Sequence, residues 1–307
     1  MSTVYFRFDA HTSAEPQRSA LLERLLARAS GMARVTDWRA EAFRVIAPGA
    51  HMPPLAATLL RGAQLPGLGS WGCVATPVHF IAGMSRVTMA ANGIVQLNLA
   101  EANRLAADFN GVFADAGTRL AVASTAELIC VFDEALDVAT CDPDTVAGQD
   151  VYAFQPSGTD ASRVRRLMSE VEMWLFDHEV NRARVQRGQQ PVTGLWLWSG
   201  GATRATVPAV HGWTAGRDPF FASFGSETQF PSAAVSGVVV CRDYPGSSTW
   251  PDVEQRWLAP AIDGLKSGRV KRLDLSASHW RFSVTSGLRL RFWRRPRPWW
   301  AWFEMEN

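Results

Sequence analysis

Apolar positions along this chain recur with two periods, one of about two residues and one of three to four. Alternation over Val4 to Phe8 predicts a first strand, and Leu21, Leu22, Leu25 and Leu26 place a helix within Ala14 to Ala33. Pro48, Pro53, Pro54 and the Pro66-Gly67-Leu68-Gly69 run mark loops and short elements. Strands are expected at Val74 to Ile81, Arg86 to Met89 and Ile94 to Leu97. A helix then starts near Asn98 with Ala102, Leu105, Phe109 and Val112-Phe113 on its apolar face, followed by strands at Arg119 to Ala123 and Leu128 to Phe132. The clearest helix spans about Asp160 to Gln186. Thr159 or Asp160 is its candidate N-cap, Val164, Leu167-Met168, Val171 and Trp174-Leu175 its buried stripe, and Gly188 its stop. A strand at Leu195 to Trp198 closes on Gly200-Gly201. Beyond it lie a strand at Gly237 to Cys241, a helix around Val253 to Leu265, and terminal strands at Val270 to Leu275, Trp280 to Val284 and Leu288 to Trp293.

Interleaved helices and strands predict an α/β fold with mixed sheets and flanking helices. With 307 residues, about two domains are expected. The Pro- and Gly-punctuated stretch Thr140 to Asp150 is the expected internal seam, giving an N-terminal segment 1–54, an α/β module 55–150 and a C-terminal part 151–307. The hydrophobic fraction of 47% and charged fraction of 20% are those of a globular chain, and a net charge of +2 gives no global pull toward nucleic acid or anionic lipid. Cys73, Cys130, Cys141 and Cys241 form no CxxC or Cys/His pair, which argues against a zinc site or a disulfide scaffold. Without a signal-peptide pattern or a long apolar run, the expectation is a reduced, soluble, cytoplasmic protein with no transmembrane segment.

The candidate chemistry gathers in Asp177-His178-Glu179-Val180-Asn181-Arg182-Ala183-Arg184 and the strand that follows. His178, Asn181, Arg182 and Arg184 suit a phosphate or carboxylate, with arginine making bidentate contacts. Equally, they suit a helix end where cations meet the dipole, with His178 and Asn181 sharing a face with Trp174 in a buried hydrogen-bonded knot. Gly200 and Gly201 can cradle a phosphate through backbone N–H groups or simply form a turn. Trp196 and Trp198 read as core, and so does His79. Ser169 and Ser199 have no neighbouring His–acid pair and no GxSxG context. Arg289 to Arg297 carries five arginines and no acid, and aromatics follow. Arg295, Arg297, Trp299 and Trp300 are therefore candidate partner-binding residues, against the alternative of a terminal strand and a docked end; recognition of nucleic acid is not the expectation.

The segment His178 to Gly201 resembles the HPVN…R…G…P-x-N-x-LWLWG-x-G signature of two groups. These are the archaeal-type, cofactor-independent phosphoglycerate mutases of the alkaline-phosphatase superfamily and a proteobacterial phosphoglycerate-mutase-related regulatory family (Rpf type E). The second resemblance extends further. Trp71-Gly72-Cys73-Val74-Ala75-Thr76-Pro77-Val78-His79-Phe80 is similar to its W-x-RADPVHL segment, Glu101-Ala102 and Asn110 to Phe113 to its EA…LN-x-F helix, and Trp257 to Ala261 and Arg291 to Pro296 to its closing motifs. Four positions depart: Thr76 stands for aspartate, Glu179 for proline, Thr193 for asparagine and Ser199 for glycine. Loss of the proline predicts a helix that runs on past His178.

The resemblance implies a degenerate phosphoglycerate-mutase-like, alkaline-phosphatase-like architecture. Mutases of this kind use two metal ions, which need several oxygen and imidazole ligands. The candidates here are Asp9, His11, His211, Asp243 and His279, too scattered to form a recognisable set. The expectation is therefore a catalytically inactive, regulatory or phosphometabolite-sensing protein with no cofactor. The alternatives are an active mutase or phosphatase holding Mn2+ or Zn2+, and a partner-binding protein acting through its Arg/Trp-rich tail.

Overall fold

A computed structural model describes residues 2–8, 17–65, 68–123, 127–241, 248–286 and 294–303. The chain divides into two compact units, Pro53–Val207 and the flanking Met1–Met52 with Pro208–Asn307. The architecture is mixed α/β, with two sheets and flanking helices. The seam expected at 140–150 lies inside a unit, because strands on either side of it pair with one another.

The central unit is built on β3 (Trp71–Ala82), a long strand with partners on both edges. Its first half pairs antiparallel with β6 (Leu128–Phe132), which in turn pairs with β5 (Thr118–Val122). Its second half pairs with β4 (Val87–Ile94), while β7 (Gly194–Ala202) runs along the other edge from Val78 to Trp71. The helix α4 (Leu99–Phe113) starts in a capping box: Asn98 accepts from the Glu101 amide and Glu101 accepts from the Asn98 amide. Val112, expected on its apolar face, is exposed. The helix expected over 160–186 is two helices, α5 (Ala161–Phe176) and α6 (Glu179–Gln186). Asp160 occupies the N-cap position of α5 without a side-chain cap, and Gly188 ends α6 region at a positive φ of 67°. The unit opens with α3 (Leu55–Gly62).

In the flanking unit, β1 (Thr3–Arg7) lies parallel to β9 (Gly237–Val240) on one side and β10 (Arg272–Ala277) on the other. The sheet is completed by β8 (Trp213–Gly216), β11 (Trp280–Thr285) and β2 (Gly31–Arg34). The expected helix to Ala33 therefore stops early: α1 spans Ala20–Ala27, and Ser30 turns the chain by hydrogen-bonding Ser283 O through its amide and hydroxyl. Val4, Phe6 and Phe8 point into an apolar core shared with α1 and α9 (Ala259–Ser267). Before α9, Glu254–Leu258 forms a wide π turn. Pro260 explains it, since it has no N–H for the Arg256 carbonyl and its ring crowds that oxygen. The expected strand Leu288 to Trp293 lies outside the described residues.

Candidate functional site

The residues from Asp177 to Arg184 form a joint rather than a continuous helix. His178 is extended (φ −72°, ψ 141°) and is the N-cap of α6, its Nδ1 accepting the Val180 N–H at 3.2 Å. The helix thus breaks at His178 even though Glu179 replaces the proline of the related motif, which corrects the expectation of a helix running on. Because Nδ1 accepts, the proton sits on Nε2, which faces Asp108 Oδ2 at 3.2 Å. The ring is buried and meets Trp174 edge-on at 4.6 Å between centroids. Burial lowers the His178 pKa, and the Asp108 carboxylate works against that shift. Asp108 is itself held by Arg104, whose guanidinium also reaches exposed Glu179.

Asn181 is buried and its amide is committed to main chain on both sides of the joint. Nδ2 donates to Leu175 O and Val192 O, each at 2.7 Å, and Oδ1 accepts from Val192 N–H at 2.8 Å. Arg184, also buried, donates to Gln190 O, Gln96 O and Glu101 Oε2. Arg187 takes the other oxygen of Glu101 at 2.6 Å, so one carboxylate caps α4 and pairs with two guanidiniums. Arg182 points outward and closes on Asp177 through its main-chain oxygen and its carboxylate. The structure therefore brings His178, Asn181 and Arg184 together as a brace between α4, α5, α6 and the entry to β7. Arg182 stands apart from it.

Gly200 and Gly201 do not turn the chain; both lie within β7, where Gly201 pairs with Gly72 and Ala202 with Trp71. What Gly200 provides is space. A Cβ there would sit 1.9 Å from Trp71 Cζ2, and one on Gly201 would sit 2.6 Å from Pro54 Cγ. Trp196 and Trp198 are core, their indoles donating to Cys141 O and Thr76 Oγ1. His79 is half-buried, with Nδ1 3.0 Å from Pro191 O.

In the flanking unit the aromatic tail folds back into the core. Trp299 is fully buried, donates from Nε1 to Gln17 O and packs on Phe8, while Trp300 is partly buried against the same cluster. Burial removes Trp299 from any partner surface; Arg295 and Arg297 remain exposed, the latter beside Trp302. Of the candidate metal ligands, Asp9, His11 and Asp243 lie outside the described residues, and His211 and His279 are both exposed. Among the described residues no three His, Cys, Asp or Glu side chains gather as a donor set. The opposite face of this sheet is polar, a feature the sequence reading missed. Tyr5, Arg7, Asp274 and Ser276 lie side by side by strand register, and burial pushes the Tyr5 hydroxyl up to about 12. Nearby, Asp218 caps α7 (Pro219–Ala222) and forms a buried pair with Arg39 at 3.1 Å.

No family model matches the chain. A stretch of 100 residues is 27% identical to a probable 2,3-bisphosphoglycerate-independent phosphoglycerate mutase of Geobacter sulfurreducens, covering 33% of this chain and 21% of that protein. A stretch of 83 residues is 30% identical to the 2,3-bisphosphoglycerate-independent phosphoglycerate mutase of Methanothrix thermoacetophila, covering 27% and 21%. The chain is a distant homologue of these mutases. The matched part spans about a fifth of each relative's length. A cofactor-independent phosphoglycerate mutase structure from Thermoplasma acidophilum aligns over 93% of this chain and 90% of that one, with 14% identity and a TM-score of 0.36.

The departures from the mutase-like pattern fall at defined places in the local structure. Thr193 Oγ1 accepts the Phe80 amide at 2.6 Å, and Thr76 receives the Trp198 indole N–H. Glu179 lies in the first turn of α6, where a carboxylate is favoured, and Ser199 takes φ 52° beside the irregular β3–β7 register.

Proposed function

We propose that this protein is a cytoplasmic, phosphoglycerate-mutase-related regulator of the Rpf type E kind, which binds a small phosphorylated metabolite without turning it over. The observation that carries this reading is the sequence homology to phosphoglycerate mutases. The geometry of the motif adds to it. Contact between a ligand and Asn181 or Arg184 would break buried hydrogen bonds, so these two act as braces and binding falls to exposed cations of the same unit.

The test is a titration with 3-phosphoglycerate, with and without Mn2+, following tryptophan fluorescence and melting temperature. A saturable shift in the absence of metal, without formation of 2-phosphoglycerate, is the expected result. Binding that requires Mn2+ and is accompanied by turnover would replace this reading with an active mutase, and no shift under either condition would refute it.

A further inference from the structure

Asn181 and Arg184 are committed to the brace and exposed Arg182 is paired with Asp177, so the cations without an acidic partner lie outside the motif. A cleft of about 550 Å³ lies between α3 and the chain leaving β7, and Arg61, Thr203, Arg204 and Thr206 line it. Its volume is within the roughly 300–1,000 Å³ usual for small-molecule sites. No carboxylate is among its lining residues, and neither arginine makes an ion pair with a described residue. Arg61, in the last turn of α3, has Nη1 anchored to Val207 O at 3.3 Å, which orients its planar fork. Arg204 is exposed and makes no ion pair with any described residue. Thr203 is buried and already donates to Gly69 O, whereas the Thr206 side chain is exposed beside the arginines.

We propose that this cleft binds a small phosphorylated carboxylic acid, with Arg61 and Arg204 taking its two anionic ends. This assignment rests on the phosphometabolite reading above and gives it a location. Two forked donors with no acid between them match a ligand carrying both a phosphate and a carboxylate, since each guanidinium can hold one group bidentately. The charge also makes binding dependent on ionic strength.

The experiment is calorimetric titration of 3-phosphoglycerate into the wild-type protein, Arg204→Gln and the double variant Arg61→Lys/Arg204→Gln, at low and at high salt. Melting curves serve as the control for folding; Arg204→Gln is expected to melt as wild type because the side chain is exposed and unpaired. The expected result is binding by the wild type that weakens at high salt and at least about tenfold in Arg204→Gln, the loss of one charge-assisted contact. Equal affinity of wild type and both variants overturns the cleft and leaves the phosphometabolite reading standing. No binding by the wild type overturns both.

Discussion

Asn181 is where brace and ligand group make opposite demands. Replacing it by alanine removes two bonds donated to Leu175 O and Val192 O and one accepted from Val192 N–H. Leu175 O keeps a second donor, the His178 amide at 3.1 Å, but the amide of fully buried Val192 is left with none. Counting only the two bonds to Val192 at about 1 kcal/mol net each, and about 1–3 kcal/mol for a buried group left unpaired, the change costs roughly 3–5 kcal/mol. Asn181→Asp is a stringent control. It keeps the volume and the acceptor but sets a carboxylate against two carbonyl oxygens, and is expected to be at least as damaging. With a urea slope of roughly 2 kcal/mol/M, the unfolding midpoint of the central unit should drop by about 1.5–2.5 M. Hydrogen exchange at Val192 and in β7 localises the effect to the joint. A midpoint within about 0.3 M of wild type, combined with lost affinity for 3-phosphoglycerate, would refute the brace and make Asn181 a ligand residue.

Two further outcomes follow from the same geometry. Gly200→Ala should lower stability by about 2–3 kcal/mol in thermal or urea unfolding, because the new methyl meets the buried Trp71 ring; unchanged stability with lost anion binding would restore the phosphate-cradle reading. For His178, burial holds the folded pKa below its ordinary value, so as pH falls from about 6.5 the unfolded chain takes up the proton first. The stability this group contributes is fully present above about pH 6.5 and is lost as pH falls through the folded value. Removing the Asp108 charge with Asp108→Asn should lower the His178 pKa further, as read by NMR titration of the ring, and a rise would contradict the tautomer assigned here.

Much of the fold could be read from short-range pattern, and the places where it could not share a cause. Alternation over Leu195 to Trp198 and the 3.6-residue stripe from Val164 to Leu175 depend on local geometry, and both elements form. The break at His178 does not follow from helix propensity. It depends on an imidazole turning back to cap Val180 while its other nitrogen meets Asp108 on α4, a contact set by tertiary packing. Gly200-Gly201 looks like a turn in isolation, yet the determining neighbour is the ring of Trp71, brought alongside by strand pairing. The polar row of Tyr5 and Arg7 with Asp274 and Ser276 is equally hidden, since it exists only when the first strand lies beside β10.

The candidate site carried two readings for a related physical reason. Histidine, asparagine and arginine in one short motif suggest ligand contact because their polar atoms must be placed with care. A buried joint places the same demand on them, since each main-chain group removed from water needs a partner. Sequence alone does not separate the two uses, because they differ in whether the acceptor is a ligand or the protein's own carbonyl. Here Leu175, Val192, Gln190 and Gln96 supply the carbonyls, and Glu101 neutralises Arg184. Arg61 and Arg204 show the complementary case. They are far apart in sequence and in no shared motif, yet both line one cleft that has no carboxylate in its lining. If the cleft binds as proposed, uncompensated charge at a concave surface is a better guide to an anion site than a dense cluster of polar residue types.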